Sequence, residues 1–451
     1  MHNLPKPSVL KNTFKLPNIS TETLSNQINV FTIHKPSTDL FTILFVNKIK
    51  EKSTSIIPPG AISFTLKMLF EQKNSNNHSL YEQIENLGAD PIYSSDNNFI
   101  TIGFQSSSDN WDKPLNLIID SILNPQFSEK EFIRLKKQRS GEIIQNKGNP
   151  MYLAQKGLAK SIYSKDSIDS FTSYGSLSSI ENYEFETIKR IFKKILIFTE
   201  DTKVSIINIS NDKKLYKLLD NLKNEKVISN MTSSSLFEAP ENKNYLIYTN
   251  TNNPQSAILF GKKLTFTDST NIISGDLFNE ILGGSFMSRL NVSLRENKGY
   301  SYGFGSNIQW NTNPPLLIGG GSVNSLKTKE SIIEINNEIK ELFNNNKISK
   351  EELNNAKFSL KQEYLNNFET HTSAIKMINW LISADQSKDF YKQYIENINK
   401  IDSNQIYKYV SQNFKSLNNF STIIVGDKNC LEKLQDFDLF NFDLISADKI
   451  I

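Results

Sequence analysis

The chain has 451 residues, of which 38% are hydrophobic, 11% aromatic and 22% charged, with a formal net charge of +3. That length exceeds one ordinary core, and the composition is that of a folding chain, so a disordered chain is excluded and more than one domain is expected. The small charge leaves no broad basic footprint for nucleic acid, and a single cysteine, Cys430, allows neither an internal disulfide nor a cysteine-built zinc site.

The N-terminal stretch MHNLPKPSVLKNTFKLPN contains three prolines and lacks the apolar core of an export signal. The longest apolar runs, such as FTILFV (41–46), are strand-sized and do not suit a membrane span. A cytoplasmic location is expected, or a periplasmic one if an export signal has been trimmed. Strand-like segments follow at 29–34, 41–47 and 99–105, and IYSSDNNFITIGF (92–104) reads as a hairpin around Asp96–Asn98. Ser128, with Glu131 three residues on, has the form of a capping box opening a helix. Residues 180–195 are helix-like and 203–210 strand-like.

Residues 223–244, with a serine run and a proline, have linker composition. Beyond them come strand-like segments at 245–249, 256–260 and 301–308, a second capping box at Ser349 and Glu352, a helix-like 401–416 and a strand-like 420–427. An offset of 221 positions carries Ser128 onto Ser349, Glu131 onto Glu352, Glu142 onto Glu363 and Ile180 onto Ile401. Such recurrence at one offset marks a duplication. With strands first and helices later in each half, the expected fold is α+β, with two homologous domains in tandem. Each would pack helices on an antiparallel-rich sheet, one over 20–222 and the other over 245–440, with 223–244 as linker. Cys430 is expected to be a buried thiol.

The stretch SLRENKGYSYGFGSN (293–307), just after Gly283 and Gly284, is the densest in marked residues. Read plainly, Arg295 lies on a helix surface closed by Gly299, and Tyr302 is a strand aromatic. Tyr300 and Phe304 share the alternation of Tyr302, which leaves the solvent face open. IGGGS (318–322) lacks the lysine of a phosphate loop. His2, His34, His78 and His371 show no metal-ligand spacing and read as surface or loop residues.

GGSFMSRLNVSLRENKGYSY, together with the repeat and GAISFTLKMLF (60–70), resembles the pitrilysin/insulinase-type zinc peptidases. That family includes the mitochondrial processing peptidase subunits and bacterial relatives. Active members carry H-x-x-E-H at the segment matching 60–70, where two histidines grip zinc and a glutamate deprotonates water. Here those positions hold Ser63, Leu66 and Lys67, and a lysine would oppose a bound cation. Glu142 falls near the third ligand's place, but its counterpart Glu363 argues for a helix residue kept for the fold. The resemblance implies that Arg295 and Tyr302 are the family's arginine and tyrosine that serve a zinc held by another domain. A tyrosine hydroxyl suits an oxyanion, and an arginine suits substrate carbonyls. Gly283 and Gly284 would either handle substrate or simply turn the chain.

The expectation that follows is one half of a clam-shell: a non-catalytic subunit with no cofactor of its own. Its partner would be a zinc-bearing homologous subunit, and a peptide or unfolded protein its substrate. A structural core-type subunit and a stand-alone peptide-binding homologue are the alternatives.

Overall fold

The structure, a computed structural model, describes residues 16–450 apart from 36–37, 197, 200, 209–211, 223–242, 250–252, 266–268, 344–347, 415–419, 433 and 435–440. Most of the expected linker, and the side chain of Cys430, lie outside the described residues.

The first half builds a six-stranded sheet from β1 (Ile19–Thr23), β2 (Asn29–Ile33), β3 (Leu40–Lys48), β4 (Ala89–Ser95), β5 (Phe99–Ser107) and β6 (Lys203–Ile207). The second half builds another from β7 (Asn244–Thr249), β8 (Gln255–Lys263), β9 (Ser301–Gln309), β10 (Leu316–Asn324), β11 (Ser421–Asp427) and β12 (Phe442–Ser446). Their orders are β1-β2-β6-β3-β5-β4 and β12-β7-β11-β8-β10-β9. Five strands correspond in order between the two halves. At the sixth place, β1 pairs antiparallel with β2, whereas β12 pairs parallel with β7. The central strands β3 (LFTILFVNK) and β8 (QSAILFGKK) are buried on both faces along their middles, which explains their nearly continuous apolar runs.

The α+β expectation therefore holds, and the hairpin forms as read. Asp96 accepts from the backbone N–H groups of Asn98 (2.6 Å) and Phe99 (2.8 Å), closing its turn. Three local readings, on Ser128, on 180–195 and on His371, need correction. The Ser128 side chain makes no capping hydrogen bond, and the Glu131 carboxylate is held by Arg134 Nε at 2.6 Å. Only Ser349 and Glu352 form the full box. Residues 180–195 hold two helices, Leu177–Glu181 and Phe185–Ile195. IGGGS is the middle of β10, where a Cβ at Gly320 would come within 2.4 Å of the Ile258 carbonyl. His371 is buried at a helix start, its Nε2 against the Thr38 hydroxyl; burial and the nearby Lys35 charge lower its pKa.

The halves are joined by an exchange. Helix Pro150–Ile162, from the first half, lies on β8 and β11 of the second sheet. There Leu153, Ala154, Leu158 and Ile162 share a core with Ile247, Ala257, Leu259, Ile423 and Val425. Helix His371–Ser383 lies 221 positions further on and packs on β3 and β6 of the first sheet. Ser205 Oγ donates to Asn379 Oδ1 at 2.8 Å across that contact. Each half thus lends the same repeated helix to the other's sheet.

Candidate functional site

The positions where zinc ligands were expected lie on helix Ala61–Glu71, which starts at Gly60 with φ of 85°. Only glycine fits there, since a Cβ would also stand 2.7 Å from the Tyr174 carbonyl oxygen. Ser63 Oγ donates to the Ser173 carbonyl at 2.5 Å and accepts from Arg139 Nη1 at 3.0 Å. Leu66 is buried. Lys67 Nζ lies 3.5 Å from Glu142 Oε1, and Arg139 Nε 3.4 Å from Glu142 Oε2. Gln138 Nε2 adds a hydrogen bond to Glu142 at 3.0 Å, and the Arg139 guanidinium stacks 4.7 Å from the Tyr174 ring centre. Glu142, the candidate third ligand, is therefore held by two of the chain's own cations. These residues do not fit a divalent metal: a hydroxyl, a leucine and an ammonium stand where donors are needed. Among the described residues, no group of three His, Cys, Asp or Glu side chains could hold a metal ion.

Arg295 and Tyr302 lie elsewhere. Helix Arg289–Asn291 widens into a turn of π-helix, Val292–Asn297, and Gly299 ends it with φ of 64°, its N–H bonded to the Arg295 carbonyl. The next strand, β9, is an edge strand with a bulge. Phe304 pairs with Gly321 and Ser301 with Val323, so Tyr302 and Gly303 together oppose Ser322. Ser301 Oγ fixes the bulge by donating to the Ser322 carbonyl (2.7 Å) and accepting from the Gly303 N–H (3.1 Å). The consequence decides the open question of face: Phe304 is 3% exposed, while Tyr302 is 89% exposed.

The Arg295 guanidinium stacks 4.4 Å from the ring centre of Phe286, an exposed residue, and its Nε lies 3.6 Å from Glu296 Oε1. Asn291 ties the two parts together. Its Nδ2 donates to the Phe286 carbonyl at 2.7 Å, and its Oδ1 accepts from the Phe304 N–H at 3.2 Å. Asn291 thus links the backbone of Phe286, on which Arg295 stacks, to β9, the strand that carries the exposed Tyr302.

Gly283 and Gly284 end the π-helical turn Glu280–Gly284. A Cβ on Gly283 would sit 2.5 Å from the Ser306 nitrogen, and one on Gly305 would sit 2.9 Å from the Gly283 carbonyl. Glycine at 283 is thus required by close approach of the turn to β9. Gly283 and Gly305 also line a cleft of about 740 Å³ between the halves, with Asn97, Gln155 and Ser173 on its other side. Arg139, Asn291 and Phe286 escaped the sequence reading. Their partners are distant in sequence or lie in the backbone, and an isolated arginine or asparagine carries no spacing signal.

Residues 211–360 match the family model described as the peptidase M16 inactive domain. That stretch belongs to the M16 family. Among solved structures, a peptidase M16 inactive domain from Pseudomonas fluorescens has a TM-score of 0.79 at 17% identity, covering 91% of this chain and 98% of that one. A protease from Helicobacter pylori has a TM-score of 0.76 at 17% identity, covering 91% and 100%. The periplasmic protease PqqL from Escherichia coli has a TM-score of 0.72 at 14% identity, covering 92% of this chain and 46% of that one. At such identities the structures show the fold alone, over 91–92% of this chain. No curated protein matches it in sequence. The pitrilysin-type resemblance read from 283–305 and 60–70 stands.

Proposed function

We propose that this M16-type chain is the non-catalytic subunit of a heteromeric zinc peptidase. One observation carries the reading. Lys67, at one of the expected ligand positions, is tied to Glu142 and through it to Arg139, while Tyr302 points outward on β9 and Arg295 is held on the Phe286 ring. Zinc, when bound in a partner subunit, would supply the activated water. In this chain, the Tyr302 hydroxyl donates to the oxyanion of the scissile carbonyl, and Arg295 holds a neighbouring substrate carbonyl. Phe286 orients Arg295, and Asn291 fixes Phe286 relative to β9. The substrate is a peptide or unfolded segment; Gly283 borders the cleft beside its path, and Gly284 follows it at the end of the same turn. The chain itself carries no metal and works in the cytoplasm, or in the periplasm if exported. No helix among the described residues is long and apolar enough to cross a membrane.

Co-purification with a homologue bearing H-x-x-E-H, followed by a peptidase assay of the complex, tests this. Tyr302→Phe is expected to lower kcat by about 10²-fold or more, as loss of an oxyanion donor does, without loss of assembly. Arg295→Ala should raise KM as well. Full activity in both variants would leave only a scaffolding role.

A further inference from the structure

The two halves treat one place in the repeat differently. Glu142 and Glu363, 221 positions apart, occupy matching helices, Glu129–Gln145 and Lys350–Asn366. Glu142 is neutralised by Lys67 and Arg139. At the position of Arg139 the second half has Leu360, and nearby it offers two further carboxylates, Asp276 and Glu280, one helical turn apart.

Asp276, Glu280 and Glu363 line a cavity of about 390 Å³ walled by Trp310, Trp380 and Tyr391. No lysine or arginine lines it, and none of the three carboxylates has an ion-pair partner among the described residues. Asp276 accepts from Trp310 Nε1 (2.7 Å), Tyr394 OH (2.9 Å) and Tyr364 OH (3.4 Å). Glu280 is 6% exposed, opens into the cavity, and has the Ser359 hydroxyl as its donor. Burial raises the pKa of all three, and the charge of Glu363 adds to the rise at Asp276 and Glu280. The chain thus lines the cavity with three carboxylates and, among the described residues, places no cation of its own against them.

Two features decide the kind of cation. The three carboxylates do not converge as metal ligands do. Trp310, Trp380 and Tyr391 line the cavity beside the carboxylates, and aromatic rings attract a diffuse organic cation and pack against an alkyl stem. We propose that this cavity binds an alkylammonium group, from a free amine or from a lysine side chain of a peptide. The stem lies along Trp310, Trp380 and Tyr391, and the head lies between Glu280 and Glu363. The site needs neither Arg295, Tyr302 nor a partner subunit.

Two of the chain's three tryptophans line the cavity, so tryptophan fluorescence of the full chain reports on it. The probes are cadaverine, Nα-acetyl-lysine methylamide, its Nε-acetylated analogue, MgCl2 and CaCl2. Saturable binding of either ammonium probe is expected, at least tenfold tighter than the Nε-acetylated analogue. Saturation by cadaverine alone would identify a free amine as the source, and saturation by the lysine amide alone a peptide side chain. Glu363→Gln, at the exposed mouth of the cavity, should weaken binding at least tenfold in a folded protein, and Glu280→Gln should do likewise. Arg295→Ala and Tyr302→Phe should leave it unchanged, so this site and the proposed peptidase role fail separately. The inference is overturned if no ammonium probe binds, if the neutral analogue binds equally, if a divalent ion saturates the signal instead, or if Glu363→Gln has no effect.

Discussion

At the scale of single residues, Arg139 organises the first half's helix junction. It joins Ser63, Glu142 and the Tyr174 ring, whereas Lys67 touches the same carboxylate from a more exposed position. Arg139→Met should therefore cost about 2–3 kcal/mol, because buried polar groups lose their partner. Lys67→Met should cost no more than about 1 kcal/mol, as for partly exposed pairs. Urea denaturation of both variants checks the order, which reverses if the ammonium is the chief stabiliser. Asp276 provides a second residue-scale expectation. Its pKa is raised by burial from 3.8 to about 7, so the folded state keeps a proton that the unfolded chain releases. The corresponding stability is fully present below about pH 4 and is lost as pH rises through about 7, amounting to roughly 4 kcal/mol. Glu280 and Glu363, also raised, act in the same direction. Asp276→Asn should flatten this decline between pH 5 and 8, measured as urea-unfolding free energy against pH. A slope equal to the parent's would assign the decline to other groups.

At the scale of elements, a repeated motif need not repeat its interactions. Both serine–glutamate spacings predict a capping box, yet in the first half Ser128 makes no cap bond and Arg134 holds Glu131, while Ser349 and Glu352 bond each other. Ser349→Ala should cost about 1 kcal/mol, and Ser128→Ala less than about 0.5 kcal/mol, by chemical denaturation. Equal costs would mean that the first box does form in solution. The same limit governs what the sequence could show of the site. The strands β2, β3, β5 and β9 were legible as short apolar segments, because burial imposes that composition locally. The outward aim of Tyr302 was not, since a bulge set by Ser301 and the facing Ser322 breaks the alternation of β9. That positions 63, 66 and 67 hold a serine, a leucine and a lysine was legible. The network around them was not, because Arg139 meets Ser63 across 76 residues of chain.

At the scale of the molecule, the exchange of helices makes the two halves one cooperative body. Removing the second half would strip His371–Ser383 from the first sheet and expose the apolar face of Pro150–Ile162, which shares its core with residues of β7, β8, β10, β11 and the C-terminal segment. The tightest point of this contact is Gly157, where a Cβ would lie 2.7 Å from Ile247 Cδ1 and 3.0 Å from Ile423 Cγ2. Gly157→Val forces both isoleucines to move and should cost about 1–3 kcal/mol, as overpacking does. Trp111 reports on the first half's core, and Trp310 and Trp380 on the second. If the lent helices couple the halves, single-tryptophan versions should show one shared unfolding midpoint, lowered equally by Gly157→Val at both reporters. A shift confined to the Trp310 and Trp380 signals would show that the first half folds without its borrowed helix. The surface bearing Arg295 and Tyr302 would then ride on a separately unfolding domain, with no fixed placement relative to the cleft that Gly283 borders.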